Sequence, residues 1–287
     1  DFCPLFKVFK NQLDILSHNL MTDWNFAHRL ANLDNHGNEK MDLNHLGEQW
    51  LYVKIQRMRN LLKIAEPDEA LYREIMLSLG YPKNKIQFLE LALLLPFRVI
   101  KDLKEEEKIK TALLYRAGFS DVKKGLPEDF DFSLRMDKSV WEFKKIRPAN
   151  FPNKRIIKIS QFLSEMTSTG LVKFFVEKIK KEMKNLKNPK EAKECVIRIM
   201  DIKGIGIDRK REMFFNIIMP FTMAYLENKE PETIEFLNRI FELHPPLSEN
   251  TTTRKFKKLV GEKTYLKINS SAKTYFGIHH YIKNTQN

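Results

Sequence analysis

Apolar side chains recur at intervals of three and four residues through most of the chain, a spacing that places them on one face of an α-helix. The clearest stripe consists of Leu43, Leu46, Trp50 and Val53. A helix is also predicted over Pro67–Leu79, with proline in its first turn and Gly80 just past its end. The pattern predicts an all-α fold, an irregular array of about ten or more helices with no sheet beyond a stray hairpin.

The remaining helices and the domain boundaries follow from the same pattern and from the turn residues that interrupt it. Further helices are predicted over Lys85–Leu95, Glu105–Ala117, 138–146, 154–168, 170–186, 189–200, 208–227, 231–243, 249–260 and 270–284. Residues 119–137 read as a loop, and apolar and polar residues alternate only near 264–268. We expect an N-terminal arm or linker over 1–40, a neutral helical half over 41–135 and a basic helical half over 136–287. The two halves could form one continuous domain.

Positive charge is concentrated in the second half. The net charge is +13, yet residues 1–140 contain 21 basic and 21 acidic side chains. The excess comes from residues 141–160, 171–215 and 254–287, which carry +5, +6 and +7. A one-sided excess of this kind indicates a surface that faces a polyanion. The alternative is that lysine-rich helices only keep the protein in solution, and the excess of lysine over arginine favours it.

The first candidate site is the proline-containing turn between Trp141 and Ile156. Arg147 and Arg155 bracket this turn, and Asn150 and Lys154 lie within it. A rigid turn that leads into a helix can present arginine forks and free backbone N–H groups to a phosphate or carboxylate. In the alternative interpretation the arginines are structural and hydrogen-bond the carbonyls of a buried loop.

The second candidate site is a glycine-containing turn within residues 199–210. Its candidate phosphate-binding residues are Lys203, Gly204, Gly206, Arg209 and Lys210. The alternation of apolar residues and glycine resembles the hairpin of helix-hairpin-helix DNA-binding modules, in which glycine lets the backbone approach a phosphate. A tight turn between packed helices also needs glycine. No catalytic aspartate is well placed downstream, which argues against a base-excision glycosylase.

The third candidate site is the basic stretch that follows Asn250. Its candidate phosphate-binding residues are Arg254, Lys255, Lys257 and Lys258. In the alternative interpretation Asn250 and the threonines after it only cap a helix. If the first two turns converge in space, they could grip successive phosphates, with the third stretch extending the track.

Several other classes of function find no support in the sequence. The apolar run Phe88–Ile100 is too short to span a bilayer, and the chain has no signal-peptide pattern, so we expect no membrane partner. The two cysteines predict a reducing cytoplasm. The adjacent His279 and His280 diverge on a helix, and no phosphate-binding loop, dinucleotide fingerprint or serine nucleophile motif occurs. We expect no metal, no cofactor and no catalytic residue. Because the chain begins with Asp1, it could be a piece of a longer protein.

Several collinear segments resemble the prokaryotic domain-of-unknown-function 2851 family. These segments are Ala70–Glu74 with Leu79–Tyr81, Phe88–Ala92 with Leu95 and Pro96, Leu113–Gly118, Phe143–Arg155, Asn216–Phe221, Asn250–Phe256 and Gly277–His279. The resemblance covers the chain from about residue 43 onward. It implies that longer members carry an N-terminal β-rich, nuclease-like region that this chain lacks, and it supplies no catalytic residues.

Charge and turns together predict a non-catalytic protein that contacts the phosphate backbone of DNA or RNA. Two alternatives remain open. The chain could be a protein–protein adaptor whose phenylalanine-rich grooves bind a partner helix. It could also be the helical accessory part of a nuclease whose catalytic region lies elsewhere.

Overall fold

Every regular element in the described part of the chain is helical, which confirms the all-α prediction. The computed structural model describes residues 43–81, 83–183 and 186–285, and the predicted arm over 1–40 lies outside them. The chain divides into two compact units, one spanning residues 54–247 and the other combining residues up to 53 with residues from 248 onward. The boundaries of these units therefore differ from the boundary between the neutral and the basic half that the charge distribution predicts.

The larger unit is built from helices joined mostly by short connections, with one long loop over 117–151 between its fifth and sixth helices. Its helices, with the long α1 that leads into it, are α1 (Leu43–Leu62), α2 (Pro67–Leu79), α3 (Lys85–Leu94), α4 (Phe97–Leu103), α5 (Glu106–Arg116), α6 (Pro152–Met166), α7 (Leu171–Glu182), α8 (Pro189–Ile199), α9 (Ile207–Met213), α10 (Met219–Tyr225) and α11 (Pro231–Leu243). Helix α2 packs on α3 and α7, and α5 packs on α6. The centre of this unit is formed by side chains that are almost fully buried, among them Tyr72, Phe88 and Phe214.

A π-helical segment, Phe214–Ile218, joins α9 to α10 without a break in the chain direction. It ends two residues before Pro220, which has no N–H and whose ring would clash with a carbonyl one turn earlier in a regular α-helix. The wider π turn accommodates that proline. The Asn216 side chain donates a hydrogen bond of 2.9 Å to the carbonyl of Glu212, which provides that carbonyl with a donor.

The smaller unit contains the start of α1 together with α12 (Thr251–Val260), α13 (Glu262–Ile268) and α14 (Ala272–Thr285). Its core consists of Leu43, Leu46, Phe256, Tyr265, Ile278 and Ile282. The backbones of α1 and α14 approach closely, because a Cβ on Gly277 would lie 2.2 Å from the Leu43 carbonyl oxygen. Glycine is therefore required at that crossing.

Three sequence-based expectations are corrected. Residues 138–146 contain only the short 3-10 turn Lys138–Val140, because Trp141 is a loop anchor whose Nε1 donates to the Ala117 carbonyl at 2.8 Å. Phe97–Leu103 forms a helix that the sequence interpretation missed, since Pro96 is its N-cap residue and not merely a break. Residues 264–268 alternate in polarity but belong to α13, so they are not a strand. The loop prediction over 119–137 is confirmed.

Candidate nucleic-acid interface

The proline-containing turn is a short 3-10 helix, Pro148–Asn150, that leads through Phe151 into α6. Proline in the first turn of α6 starts the helix without the loss of a backbone hydrogen bond. Arg147 and Lys154 are exposed, and Asn150 is half-buried. The next residue, Arg155, is buried with the apolar side of α6. Adjacent residues of one motif therefore face different environments.

The glycine-containing turn connects α8 to α9, as the sequence predicts. Gly204 has a φ of +75°, in the left-handed region that favours glycine, whereas Gly206 is extended and is the N-cap residue of α9. Lys203 is exposed, and its Nζ lies 3.8 Å from a carboxylate oxygen of Glu165. Lys210 is half-buried. The turn thus presents backbone and one lysine to solvent.

The two turns are brought together by a residue that the sequence analysis did not single out, Lys158 on α6. Its side chain covers the glycine turn closely, since a Cβ on Gly204 would lie 3.0 Å from the Lys158 Cγ. Its Nζ donates to the Ala149 carbonyl in the first turn at 3.4 Å. The side chain is exposed. Lys158 therefore spans the two turns and adds another positive charge between them.

Behind this surface, two of the predicted arginines share one aromatic ring. The guanidinium carbons of Arg155 and Arg209 lie 3.8 Å and 4.3 Å from the centre of the Tyr81 ring. Arg155 Nη1 donates to the Leu79 carbonyl at 2.6 Å, and Arg209 donates to the Ser78 carbonyl. Both arginines therefore hydrogen-bond carbonyls at the C-terminal end of α2, where a helix leaves its last carbonyls without internal partners.

The charge of Arg155 is only partly compensated. Burial lowers its pKa to about 10, the Tyr81 side chain opposes that shift, and the neighbouring charge of Arg209 adds to it. Arg209 has a carboxylate partner, Glu212, at 2.6 Å. The nearby Lys85 has a lowered pKa because of burial first, then because of Arg209 and Arg57. Within the described residues, the two guanidinium groups at the Tyr81 ring therefore have one carboxylate partner between them, Glu212.

Apart from the half-buried Lys210, these contacts divide the predicted basic residues of the larger unit into two sets. Arg155 and Arg209 are internal and hydrogen-bond the end of α2. For Arg155 this agrees with the alternative interpretation of the first turn, in which its arginines are structural. Arg147, Lys154 and Lys203 are exposed and available to a ligand. The sequence analysis missed Tyr81 and Lys158. Lys158 could have been found, because it lies four residues after Lys154 and so shares its helix face.

The third candidate stretch lies in the smaller unit. Arg254, Lys255 and Lys258 are exposed on α12. Lys257 lies 2.8 Å from Glu262 and 3.4 Å from Glu249, and its hydrogen bond to Glu262 raises its pKa. Because these residues belong to a different compact unit from the two turns, the extended phosphate track stays a prediction.

Asn250 caps the start of α12, as the sequence predicts. Its side-chain oxygen accepts hydrogen bonds from the backbone N–H groups of Thr252 and Thr253 at 2.9 and 3.1 Å. The Thr253 hydroxyl accepts one in return from the Asn250 N–H. This reciprocal pair is a capping box that fixes the start of α12.

The described ranges contain neither a cluster of metal ligands nor a membrane-spanning helix. No group of three or more His, Cys, Asp or Glu side chains there is arranged to hold a metal ion. Among the same residues, no helix has the length and apolar character needed to cross a membrane. Cys195 is buried as a free thiol.

Fold and site together define an all-helical protein whose larger unit carries a basic surface formed by two turns. A family model described as a protein of unknown function, DUF2851, matches residues 25–250. The chain therefore belongs to this family, which confirms the resemblance seen in the sequence. No curated protein and no solved structure matches the chain.

Proposed function

We propose that the protein binds the phosphate backbone of a nucleic acid without catalysis, through a basic surface formed by Arg147, Lys154, Lys158 and Lys203. The observation that carries this proposal is the position of Lys158, which joins the two turns and gathers four exposed cations that are separated in the sequence. Only Lys203 among them has a nearby carboxylate in the described residues, Glu165 at 3.8 Å.

The spacing of two lysines on α6 matches the spacing of phosphates along one strand of a nucleic acid. Lys154 and Lys158 are one helical turn apart, a rise of about 6 Å along the axis. Phosphates two steps apart on one DNA strand are separated by about 7 Å along the duplex axis. The two ammonium groups can therefore reach phosphates of a single strand, which supports contact with the backbone rather than with base edges.

The internal arginines strengthen the field at this surface. Arg155 and Arg209 keep their charge close to Tyr81, and burial first and then repulsion from Arg209 lower the pKa of Lys85. Cations collected with few carboxylates raise the local concentration of an anionic ligand and its association rate. These side chains need no direct contact with the ligand to contribute.

The test compares two double variants that remove equal charge. Lys154→Ala with Lys203→Ala removes two exposed cations of the surface. Lys187→Ala with Lys190→Ala removes two exposed lysines at the other end of α8, roughly 16 Å along that helix. Binding of labelled single-stranded and duplex DNA and RNA is measured by fluorescence anisotropy from about 50 to 200 mM salt, where phosphate contacts make affinity strongly salt-dependent.

We expect the surface variant to weaken binding and to reduce the log–log salt slope by about two units for duplex DNA, one for each lost phosphate contact. The control should keep the affinity and slope of the wild type. No binding by the wild type at about 50 mM salt, or equal losses in the two variants, would refute this surface. The choice of substrate separates DNA from RNA binding.

The protein–protein adaptor remains a second candidate because of two leucines in the smaller unit. Leu259 and Leu266 are 67% and 65% exposed, on α12 and α13. Single exposed apolar side chains are ordinary in folded proteins, so this support is weaker than that of the basic surface. A wild type that binds no nucleic acid at low salt would favour the adaptor.

A further inference from the structure

A second potential binding site lies at the opposite end of α2 from the basic surface. It is a cleft of about 1000 Å³ between the start of α2, the start of α4, the start of α7 and the segment that follows α10. The thirteen residues of α2 separate it from Ser78 and Leu79 by about 18 Å. Its size is at the upper end of the range for small-molecule sites.

The carboxylates that line the cleft are occupied by protein donors. Asp68 accepts the Val172 N–H at 2.9 Å, at the start of α7. Glu69 accepts the Phe97 N–H at 2.7 Å, at the start of α4, and also binds Arg73 at 2.9 Å. These two carboxylates hold helix starts in place, so their oxygens are engaged by backbone donors while the groups keep their negative charge.

A third lining carboxylate, Glu230, is also occupied. It accepts hydrogen bonds from Lys180 at 2.6 Å and from the Thr233 hydroxyl at 3.0 Å, and these bonds lower its pKa. Of the acidic side chains that line the cleft, only the exposed Glu66 has no hydrogen-bond or ion-pair partner within the described ranges. The walls therefore offer few free acceptors to a cationic ligand.

The basic side chains that line the cleft have fewer protein partners than its carboxylates. Arg98 and Lys101 are exposed on α4, and neither has a hydrogen-bond or ion-pair partner among the described residues. Lys173 is 69% exposed, and its nearest carboxylate, Glu177, lies 3.8 Å away. Basic side chains in the lining outnumber acidic ones by five to four, and Arg98, Lys101 and Lys173 are exposed without a hydrogen bond in the described residues, which favours an anionic group near these three.

One wall also provides aromatic and apolar surface. Tyr225 is half-buried at the end of α10, and the Lys229 ammonium lies 4.9 Å from the centre of its ring. Pro96, Phe97 and Val172 line the cleft as well. The exposed Lys229 side chain covers the Tyr225 ring, so a flat ligand ring would displace the ammonium to stack there, and the displaced ammonium could then pair with the anionic group of the ligand.

We propose that this cleft binds a mononucleotide, with its phosphates near Arg98, Lys101 and Lys173 and its base against Tyr225. The arrangement combines dispersed cations, which suit more than one phosphate charge, with a single aromatic surface of base size. This site is separate from the basic surface, and the proposal does not depend on nucleic-acid binding there.

The experiment is calorimetric titration of the whole chain with ADP, adenosine and pyrophosphate at about 50 mM salt, where charge–charge attraction is little screened. We expect ADP to bind at least about tenfold more tightly than adenosine or pyrophosphate, because each of these lacks one of the two groups recognised. Absence of ADP binding overturns the site. Pyrophosphate binding as tight as ADP binding overturns the base contact, and equal binding of adenosine overturns the role of the cations.

Variants locate the ligand. Arg98→Ala with Lys101→Ala should weaken ADP at least about tenfold without changing the melting temperature, since both side chains are exposed. Tyr225→Phe should bind as the wild type and Tyr225→Leu about tenfold more weakly, since stacking needs the ring. The variant Lys154→Ala with Lys203→Ala should bind ADP normally. Weak ADP binding there, with normal binding in the Arg98 and Lys101 variant, would place the nucleotide on the basic surface and overturn the cleft.

Discussion

Replacement of Arg155 by alanine tests whether this arginine holds the fold rather than a ligand. The change removes a charged hydrogen bond of 2.6 Å to the Leu79 carbonyl, worth about 1.5–3 kcal/mol. It also removes the stacking on Tyr81, worth about 1–2 kcal/mol where water is excluded. The loss is partly offset, because a buried guanidinium and its repulsion from Arg209 disappear as well. We expect a net destabilisation of about 2–4 kcal/mol.

Urea unfolding followed by circular dichroism measures this loss. With a slope of about 2–3 kcal/mol per molar urea, the midpoint should fall by about 1 M. Arg155→Met keeps most of the volume without the charge and should lose less stability than Arg155→Ala. The exposed neighbour gives the matched control, since Lys154→Ala should stay within about 0.5 kcal/mol of the wild type. An Arg155→Ala midpoint equal to that of Lys154→Ala would contradict the structural role.

Two further predictions concern the glycine turn and a buried histidine. Gly204→Ala should lower the free energy of unfolding by about 1–2 kcal/mol because of its positive φ. A Cβ on Gly206 meets no atom within 4 Å, so Gly206→Ala should lose less, at most about 1 kcal/mol from the weaker N-cap. Thermal denaturation checks both, and weaker nucleic-acid binding by Gly206→Ala would indicate backbone contact with phosphate. Burial and then Arg211 lower the pKa of His244 from 6.5 to about 3, so the unfolded chain binds the proton at a higher pH than the folded chain. The free energy of unfolding should therefore fall as the pH falls between these two values and level off above about 6.5, and His244→Asn should flatten this profile in urea titrations at successive pH values.

The helical fold follows from local pattern, and its errors arise where tertiary contacts decide. The apolar spacing around Trp141 predicted a helix over 138–146. Trp141 instead lies in a loop that packs on the core, where its ring contacts Phe88 and Phe119. The helix predicted over Lys85–Leu95 ends just before Pro96, and the pattern did not predict that a second helix begins there, although a proline is tolerated where a helix begins. Whether a proline only ends one helix or also begins the next therefore depends on tertiary contacts.

The candidate site was predictable in part. On α6 the apolar stripe includes Ile159 and Met166, and Arg155 lies on that stripe four residues before Ile159, whereas Lys154 and Lys158 lie outside it. Helical periodicity alone therefore separates the internal arginine from the exposed lysines. No local pattern predicts Tyr81, because its role depends on three segments distant in sequence that meet at one ring.

Substitutions of Lys158 can separate the effect of its charge from the effect of its packing. Its aliphatic stem covers Gly204, and its ammonium donates to the Ala149 carbonyl, so an alanine variant would change both the packing of the turns and the charge. Lys158→Met keeps an unbranched stem of similar length and removes the ammonium. Because that ammonium is exposed and its hydrogen bond is long, at 3.4 Å, we expect a loss of less than about 0.5 kcal/mol in stability.

Nucleic-acid affinity should respond differently from stability. If the ammonium contacts one phosphate, Lys158→Met should reduce the log–log salt slope by about one unit for duplex DNA, and Lys158→Arg should restore it. Affinity and salt slope are measured by anisotropy and stability by thermal denaturation on the same preparations. A Lys158→Met protein that melts with the wild type and binds with its full salt slope would show that this lysine only connects the two turns, and the basic surface would lose its central phosphate contact.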